Sequence, residues 1–352
     1  MDAKTILKEV VEKGASDIFL IPGMHYSYKL NGEVVIVDDQ KLSPEEIESI
    51  IAQIYEIAKR SMQRVHDTGD DDFSFAISDL SRFRVNVFKQ RGTIGAVIRI
   101  VAFELPDYSR LHIPQAVMDV AKLQKGLVLV TGPAGSGKST TLACIIDEIN
   151  KSRHAHIITL EDPIEFLHKH KNSIVTQREV ATDTESYVTA LRAALRQVPD
   201  VILLGELRDF ETIRTAMTAA ETGHLVISTL HTIGAANTID RIVDSFPPNQ
   251  QQQIKVQLSM VLQAVISQQL IPDVNGEIVP AYEIMYLNSA IRNMVRDSKI
   301  HQIDSVIFQS QEEGMIAMDT SLYKMVKEGK ITEETALFYA SAPDALKKRL
   351  VR

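Results

Sequence analysis

The stretch Gly132-Pro133-Ala134-Gly135-Ser136-Gly137-Lys138-Ser139 completes the pattern G-x-x-x-x-G-K-[ST]. It constrains the fold more than anything else in the chain, because such a loop works only between a buried strand and a helix. Gly126 to Thr131 is an apolar run that reads as the strand, and Thr140 to Asn150 reads as the helix. Glycines let the backbone curl so that successive N–H groups converge on phosphate oxygens. The helix N-terminus adds its positive dipole end. The expectation is an ATP site in which Lys138 reaches the β- and γ-phosphates and Ser139 ligates Mg²⁺, with Thr140 in the first helical turn beside them.

Residues further along supply the rest of such a domain. His156 to Leu160, Val201 to Leu204 and Leu225 to Thr229 read as strands, and Glu185 to Arg196 and Phe210 to Glu221 as helices. Strands separated by helices predict a parallel sheet and an α/β class. Tyr282 to Met285 is strand-like, and from about Asn288 the chain reads as helical.

The first hundred residues follow a different pattern. Lys4 to Val11 reads as a helix and Asp17 to Ile21 as a strand. Tyr26 to Leu30 and Glu33 to Val37 flank Asn31-Gly32, a strong hairpin signal because both turn positions need φ > 0. Ser43-Pro44-Glu45-Glu46 starts a helix with a capping box, and Ile47, Ile50, Ile51 and Ile54 share one face of it. Asp72 to Ile77, Phe83 to Phe88 and Ile94 to Ile100 read as a strand meander. These elements predict a small α+β domain over residues 1–101. Residues 102–114, with Pro106 and Pro114 and no periodicity, read as a linker. Residues 115–352 are left to the ATPase domain, with a helical subdomain from about residue 288.

Composition narrows the function classes. The net charge is −8, from 38 basic and 46 acidic side chains, with no long basic run. That weighs against a nucleic-acid partner, because phosphate contacts dominate such binding. A single cysteine, Cys144, excludes an intrachain disulfide and a multi-cysteine zinc site; it sits in an apolar helical stretch and is expected to pack as a small hydrophobe. The N-terminal MDAKTILKEVVEKG lacks the apolar core of a signal peptide. No apolar run reaches about 18 residues, so no transmembrane helix is expected and the reading is cytoplasmic.

Carboxylates and histidines cluster where strands end. Glu161, Asp162 and Glu165 follow the strand His156 to Leu160, and Glu206 follows Val201 to Leu204 after Gly205. Ligands of open α/β sheets bind beyond the carboxyl ends of strands. Glu206 is therefore the first candidate to hold a Mg²⁺-bound water or to polarise the attacking water; the competing reading is that these carboxylates cap helices or pair with arginines. Thr222 to Thr232 holds a strand with a histidine at each end. His231 and Thr229 are candidates for sensing the γ-phosphate, whereas His224 lies at the strand's start and has a structural hydrogen bond as its alternative role.

Four blocks together resemble the secretion-type ATPases, most closely the type IV pilus retraction ATPases (PilT-type). They are GPAGSGKSTTL at 132–142, ITLEDPIEF at 158–166, DVILLGELRD at 200–209 and AAETGHLVISTLHT at 219–232. They look like that family's Walker A, Asp box, Walker B and His box, in order. AIRNMVR at 290–296, HQIDSVI after it and GMIAMDTSL later are similar to the retraction branch. Departures are Phe19 in place of a common histidine, Met294 and Val295 in place of Leu and Ile, and Gln197-Val198 in place of an acidic pair. They leave the paralogue open, including a second retraction ATPase (PilU-type).

The resemblance implies a RecA-like ATPase domain behind a PAS-like N-terminal domain, and a nucleotide site that includes Glu161, Asp162, His224 and Thr229. It implies a homohexamer in which ATP binds between one subunit and the N-terminal domain of the next. Arg82, Arg84 and Arg99 look like the family's N-terminal arginines, placed to neutralise charge on a neighbour's γ-phosphate; surface charge on an edge strand is the other reading. Arg82 and Arg84 share a strand face because the period is 2. The implied load is the inner-membrane pilus platform protein, with the ring peripheral at the inner face of the cytoplasmic membrane and a paralogous retraction ATPase as a further partner. The rivals are a motor for protein export or pilus extension, a non-hydrolysing nucleotide-dependent regulator and a nucleic-acid motor. The extension and type II secretion branches usually carry a four-cysteine zinc element, for which this chain has no residues.

Overall fold

The computed structural model describes every residue except 1, 31, 38–40, 78, 79, 102–104, 106 and 352. Contacts divide the chain into two units, residues 1–104 with 165–167, and residues 105–164 with 168–352.

In the first unit, Asp2 caps α1 (Ala3–Glu12) by accepting from Thr5 N. Strands β1 (Asp17–Leu20), β2 (Ser27–Leu30) and β3 (Glu33–Ile36) follow, then α2 (Pro44–Ile57) and α3 (Gln63–Thr68). The meander β4 (Asp70–Ile77), β5 (Ser81–Gln90) and β6 (Thr93–Val101) completes it. The capping box of α2 is present: Ser43 Oγ accepts from Glu46 N, and Glu46 accepts from Ser43 N. Asn31 of the expected hairpin lies outside the described residues; Gly32 has φ +87°, and Leu30 pairs with Glu33 across the turn. The sheet runs β3-β2-β1-β6-β5-β4, all antiparallel. Ile47, Ile50, Ile51 and Ile54 pack with Phe83, Val85, Val87 and Ile98 in its core. Helix α3 has no counterpart in the sequence reading, because six polar-rich residues show no period.

The second unit begins with residues expected to be linker. Ile113 is buried and packs, with Tyr108 and Leu111 beside it, against Ile145 and Ile149, so the described part of that stretch belongs to the unit's core. The short α4 (Gln115–Met118) leads to β7 (Gly126–Thr131), α5 (Lys138–Ser152), β8 (His156–Glu161), β9 (Ile174–Glu179) and α6 (Tyr187–Ala194). Then come β10 (Val201–Leu204), α7 (Phe210–Glu221), β11 (Leu225–Leu230), α8 (Ala235–Asp244), α9 (Pro248–Val261), β12 (Leu262–Pro272) and β13 (Ile278–Tyr286). The helical end comprises α10 (Ser289–Arg296), α11 (Ile303–Gln309), α12 (Met318–Lys327), α13 (Glu333–Tyr339) and α14 (Pro343–Leu350).

The sheet order is β13-β12-β7-β11-β10-β8-β9, parallel except for the edge strand β13. Alternation splits β7 between two cores: Leu127 and Leu129 face one, Val128 and Val130 the other. Cys144 is buried in the second, and its thiol is pushed up to about 11 by burial. The loop after β7 thus opens at the carboxyl end of a central strand, where α/β sheets bind ligands.

Candidate active site

Every residue of β7 is buried, which fixes where the loop 132–137 starts. Gly132 N donates to Leu230 O at 3.3 Å, tying the loop to the end of β11. Gly132 has φ +141°, and a Cβ there would lie 2.1 Å from Gln268 O. Gly137 has φ +81°, and its Cβ would lie 2.9 Å from Gln268 Nε2. Only glycine fits either place, so β12 is the wall against which the loop is moulded. Lys138 is 9% exposed, and its Nζ donates to the carbonyls of Gly132 (2.9 Å) and Pro133 (2.8 Å). Pro133, Ala134 and Gly135 are exposed, and Ser139 and Thr140 are half-buried in the first turn of α5. Ser136 Oγ and Thr131 Oγ1 are buried without a hydrogen-bond partner among the described residues. Unused polar atoms beneath a glycine-curled loop at a helix N-terminus fit a phosphate chain.

Beside the loop lies a cavity of about 330 Å³. Thr140 and Thr141 form one side, Leu270, Ile278 and Tyr282 another, and Leu111 closes it. Thr141 Oγ1 donates to Gln268 Oε1 at 2.7 Å. Gln268 was not singled out in the sequence; it is a polar residue only 3% exposed in a strand, and such burial leaves no mark in the sequence itself.

Glu206 stands past the end of β10. It pairs with Arg208, and its Oε2 lies 3.2 Å from His231 Nε2. Its side chain is only 14% exposed. Burial first, then the charges of Lys138 and Arg208, hold His231 below its usual pKa, so its ring is neutral near pH 7 and its Nε2–H can donate to the carboxylate. A cavity of about 300 Å³ is lined by Glu206, Arg208, Thr229, His231, Thr232 and Arg241. Arg208 and Arg241 are site residues the sequence reading passed over, although Arg208 lies inside its Walker B block. Gly205 admits Tyr187: a Cβ there would sit 2.5 Å from the Tyr187 hydroxyl, whose pKa burial pushes up.

The other candidates divide. Glu161 Oε1 accepts from Thr159 Oγ1 (2.6 Å) and Gln177 Nε2 (3.1 Å), and Asp162 is exposed beside it. Glu165 is exposed and groups with the first unit. Thr229 is committed to structure, since its hydroxyl donates to Gly205 O at 2.6 Å and so joins β11 to the end of β10. His224 precedes β11 at the amino end of the sheet, as expected, with Nδ1 2.9 Å from Ala219 O, while the phosphate loop of the same chain lies at the carboxyl end. In the first unit Arg84 and Arg99 are direct cross-strand partners, on the sheet face opposite Val85 and Ile98. Arg99 pairs with Asp17 at 3.0 Å, Arg84 is exposed, and Arg82 is half-buried on the same face.

Residues 2–278 match the model of the family described as type II/IV secretion system protein. The type IV pilus retraction ATPase PilT of Pseudomonas aeruginosa is 44% identical over 345 residues, covering 98% of this chain and 99% of that protein. The chain belongs to the type II/IV secretion ATPase family, in its pilus-retraction branch. A twitching motility protein of Neisseria gonorrhoeae is 44% identical over 310 residues, covering 88% of this chain and 82% of that protein. A crystal structure of the pilus retraction motor PilT with bound ADP superposes with a TM-score of 0.90 at 45% identity, covering 99% of both chains. The family's ATPase activity accords with a phosphate loop and a shielded carboxylate beside an exposed imidazole at one end of one sheet. No helix among the described residues is long and apolar enough to cross a membrane.

Proposed function

We propose that the chain is one subunit of a homohexameric ring that hydrolyses ATP to retract type IV pili. The observation that carries the mechanism is the meeting of Lys138 and the Glu206–His231 pair at the carboxyl ends of β7, β10 and β11. In this reading Gly132 to Gly137 hold the phosphates with backbone N–H groups. Lys138 exchanges its two carbonyl partners for β- and γ-oxygens. Ser139 and Glu206 would hold Mg²⁺, which supplies charge neutralisation on those oxygens when bound. Glu206, held by Arg208 and His231, orients the attacking water, with Glu165 as the alternative carboxylate. Glu161 and Asp162 line the same strand ends. The base lies in the cavity beside Thr140 and Tyr282, whose apolar walls suit it.

Arg84 and Arg99 face one another, and Asp17 pairs with Arg99 from the strand on its other side. Like charges directly opposed on a sheet cost stability. That supports a role as anion-binding residues serving the nucleotide of a neighbouring subunit, with Arg82 beside them. His224 is left with a structural role in its own chain. The ring works on the pilus platform protein at the inner face of the cytoplasmic membrane, with a paralogous ATPase as a further partner. Export or pilus extension by the same chemistry is the alternative use of this motor.

Lys138→Ala tests the site. It should leave a folded protein with no measurable ATP turnover, and cells carrying it should be piliated but unable to twitch. Wild-type turnover by the folded variant would displace the site. Loss of pili altogether, rather than their accumulation, would favour extension or export.

A further inference from the structure

The segment that follows His231 is tied down in steps. Thr232 Oγ1 lies 2.7 Å from Thr238 Oγ1 on α8. Gly234 N donates to Ser267 Oγ at 2.9 Å, and Ala235 N donates to Glu283 Oε1 at 2.7 Å. The other oxygen of the same carboxylate, Glu283 Oε2, accepts from Met318 N at 3.4 Å. Residue 235 opens α8 and residue 318 opens α12, and neither helix has a capping side chain of its own: Gly234 and Ala317 stand at their N-cap positions. Glu283, 6% exposed on β13, therefore caps two helices that are 83 residues apart in sequence (318 − 235). Burial pushes its carboxyl above the usual range, while the two N–H bonds pull the other way.

The space around this carboxylate matters as much as the bonds. A cavity of about 580 Å³ is lined by Gly234 and Asn237 of the α8 end, Glu283, Phe308 of α11, Met318 of α12 and Leu346 of α14. Where side chains interdigitate, packing alone transmits a shift. The cavity thins that packing between the two helix starts, and the carboxylate adds a direct polar link between them.

We infer that Glu283 is a positioning residue that couples the Glu206–His231 end of the ATPase site to the C-terminal helices. The inference rests on reading that pair as the hydrolytic end. A change at His231 moves the start of α8, and Glu283 carries it to α12; conversely, a load on the helices is felt at His231.

Glu283→Gln is the first test, because the amide keeps the volume and one acceptor oxygen but turns an NH₂ toward the second N–H. The wild-type chain should change its amide hydrogen exchange over residues 318–327 when ADP or a non-hydrolysable ATP analogue binds. The variant should bind a fluorescent ADP with a Kd within about twofold of wild type, lose the exchange response and drop about tenfold in kcat. A wild-type kcat, a retained exchange response, or no response in the wild-type chain would each overturn the coupling. If Glu283→Gln does not fold, Met318→Ala and Met318→Pro replace it. Residue 318 is the first helical position, where proline is tolerated, and Ala317 already has ψ 148°, which suits a residue before proline. Alanine keeps the N–H and proline removes it, so a lower kcat in the proline variant supports the link and equal values refute it. Unchanged hydrolysis in Glu206→Gln would instead sink the underlying reading of the hydrolytic end, which separates the two failures.

Discussion

In the proposed mechanism the hydrolytic chemistry turns on Glu206. It is shielded, paired with Arg208 and within 3.2 Å of a histidine whose pKa is depressed. A charge held this way is expensive to create and is retained for use at one moment of the reaction. Glu206→Gln keeps shape and one acceptor but removes the charge. We expect nucleotide binding within about threefold of wild type and a fall in kcat of about a hundredfold or more, read by single-turnover hydrolysis. Unchanged kcat would move the role to Glu165. At this scale much of the site was legible: the phosphate loop and the position of Glu206 follow from motif spacing and strand ends. Arg241, Tyr187 and Gln268 were not, because a contact between residues distant in sequence leaves no trace in local spacing; Arg208, two residues after Glu206, stood inside a quoted block without being given a role. The placement of His224 and His231 at opposite ends of one strand was legible too, and the structural hydrogen bond weighed for His224 is present, to Ala219 O.

Val198 makes a separate case among single residues. It has φ +54°, precedes proline and is 84% exposed. A β-branched residue in the left-handed region costs about 1–2 kcal/mol, and no apolar burial offsets it here. Its carbonyl and that of Gln197 face His156 Nδ1 at 3.3 and 2.9 Å, which holds the turn in place. Val198→Asn should therefore stabilise the protein by about 1 kcal/mol, raising Tm by roughly 2–4 °C in a thermal melt. An unchanged or lower Tm would mean that the turn's strain is relieved elsewhere.

Among the elements, α10 shows how a pattern can be right about a face and wrong about its freedom. Asn288 caps it through Ile291 N, and Ile291 and Val295 are fully buried, as their spacing predicts. Arg292 and Arg296 are also four apart, a spacing that would put both on one open face, yet they divide. Arg292 Nη1 donates to Ser259 O at 2.7 Å, near the end of α9, whereas Arg296 is exposed and its guanidinium reaches Asn293 and Asp297 on its own turn. Arg292→Ala should cost about 1–2 kcal/mol of stability, visible as a lower Tm. Arg296→Ala should leave Tm and ATPase activity unchanged and abolish twitching, because its guanidinium is the one placed for a partner. Normal twitching by that variant would remove the coupling role. Two strands escaped the sequence reading for a related reason. Gln263, Ser267, Gln268 and Gln269 interrupt the apolar run of β12, yet Gln268 serves Thr141, Ser267 serves Gly234 and Gln269 donates to Tyr339 O. Edge strand β9 has polar residues at four of its six positions and three half-buried ones in a row, so its period of 2 is faint.

For the molecule as a whole, the phosphate loop lies in one unit and the opposed arginines in the other. If each nucleotide is completed by the arginines of the next subunit, activity belongs to interfaces and not to chains. That makes a complementation experiment decisive. Lys138→Ala subunits lack a working loop but keep Arg84 and Arg99. Arg84→Ala subunits keep the loop but lack one arginine. Each variant alone should be inactive, or nearly so. In rings assembled at random from equal amounts, about a quarter of the interfaces pair a good loop with a good arginine from the neighbouring chain, because half of the subunits carry each defect. We expect ATPase activity to rise from near zero toward that fraction of wild type as the two are mixed, unfolded and reassembled together, and the same for Arg99→Ala. Arg99 is the more demanding case, since its loss also leaves Asp17 without its 3.0 Å partner; a Tm for the Arg99→Ala protein alone separates that effect from catalysis. If mixed rings, confirmed by tagging each variant differently, show no activity beyond the sum of the separate preparations, the arginines act within their own chain or serve only the first unit's sheet.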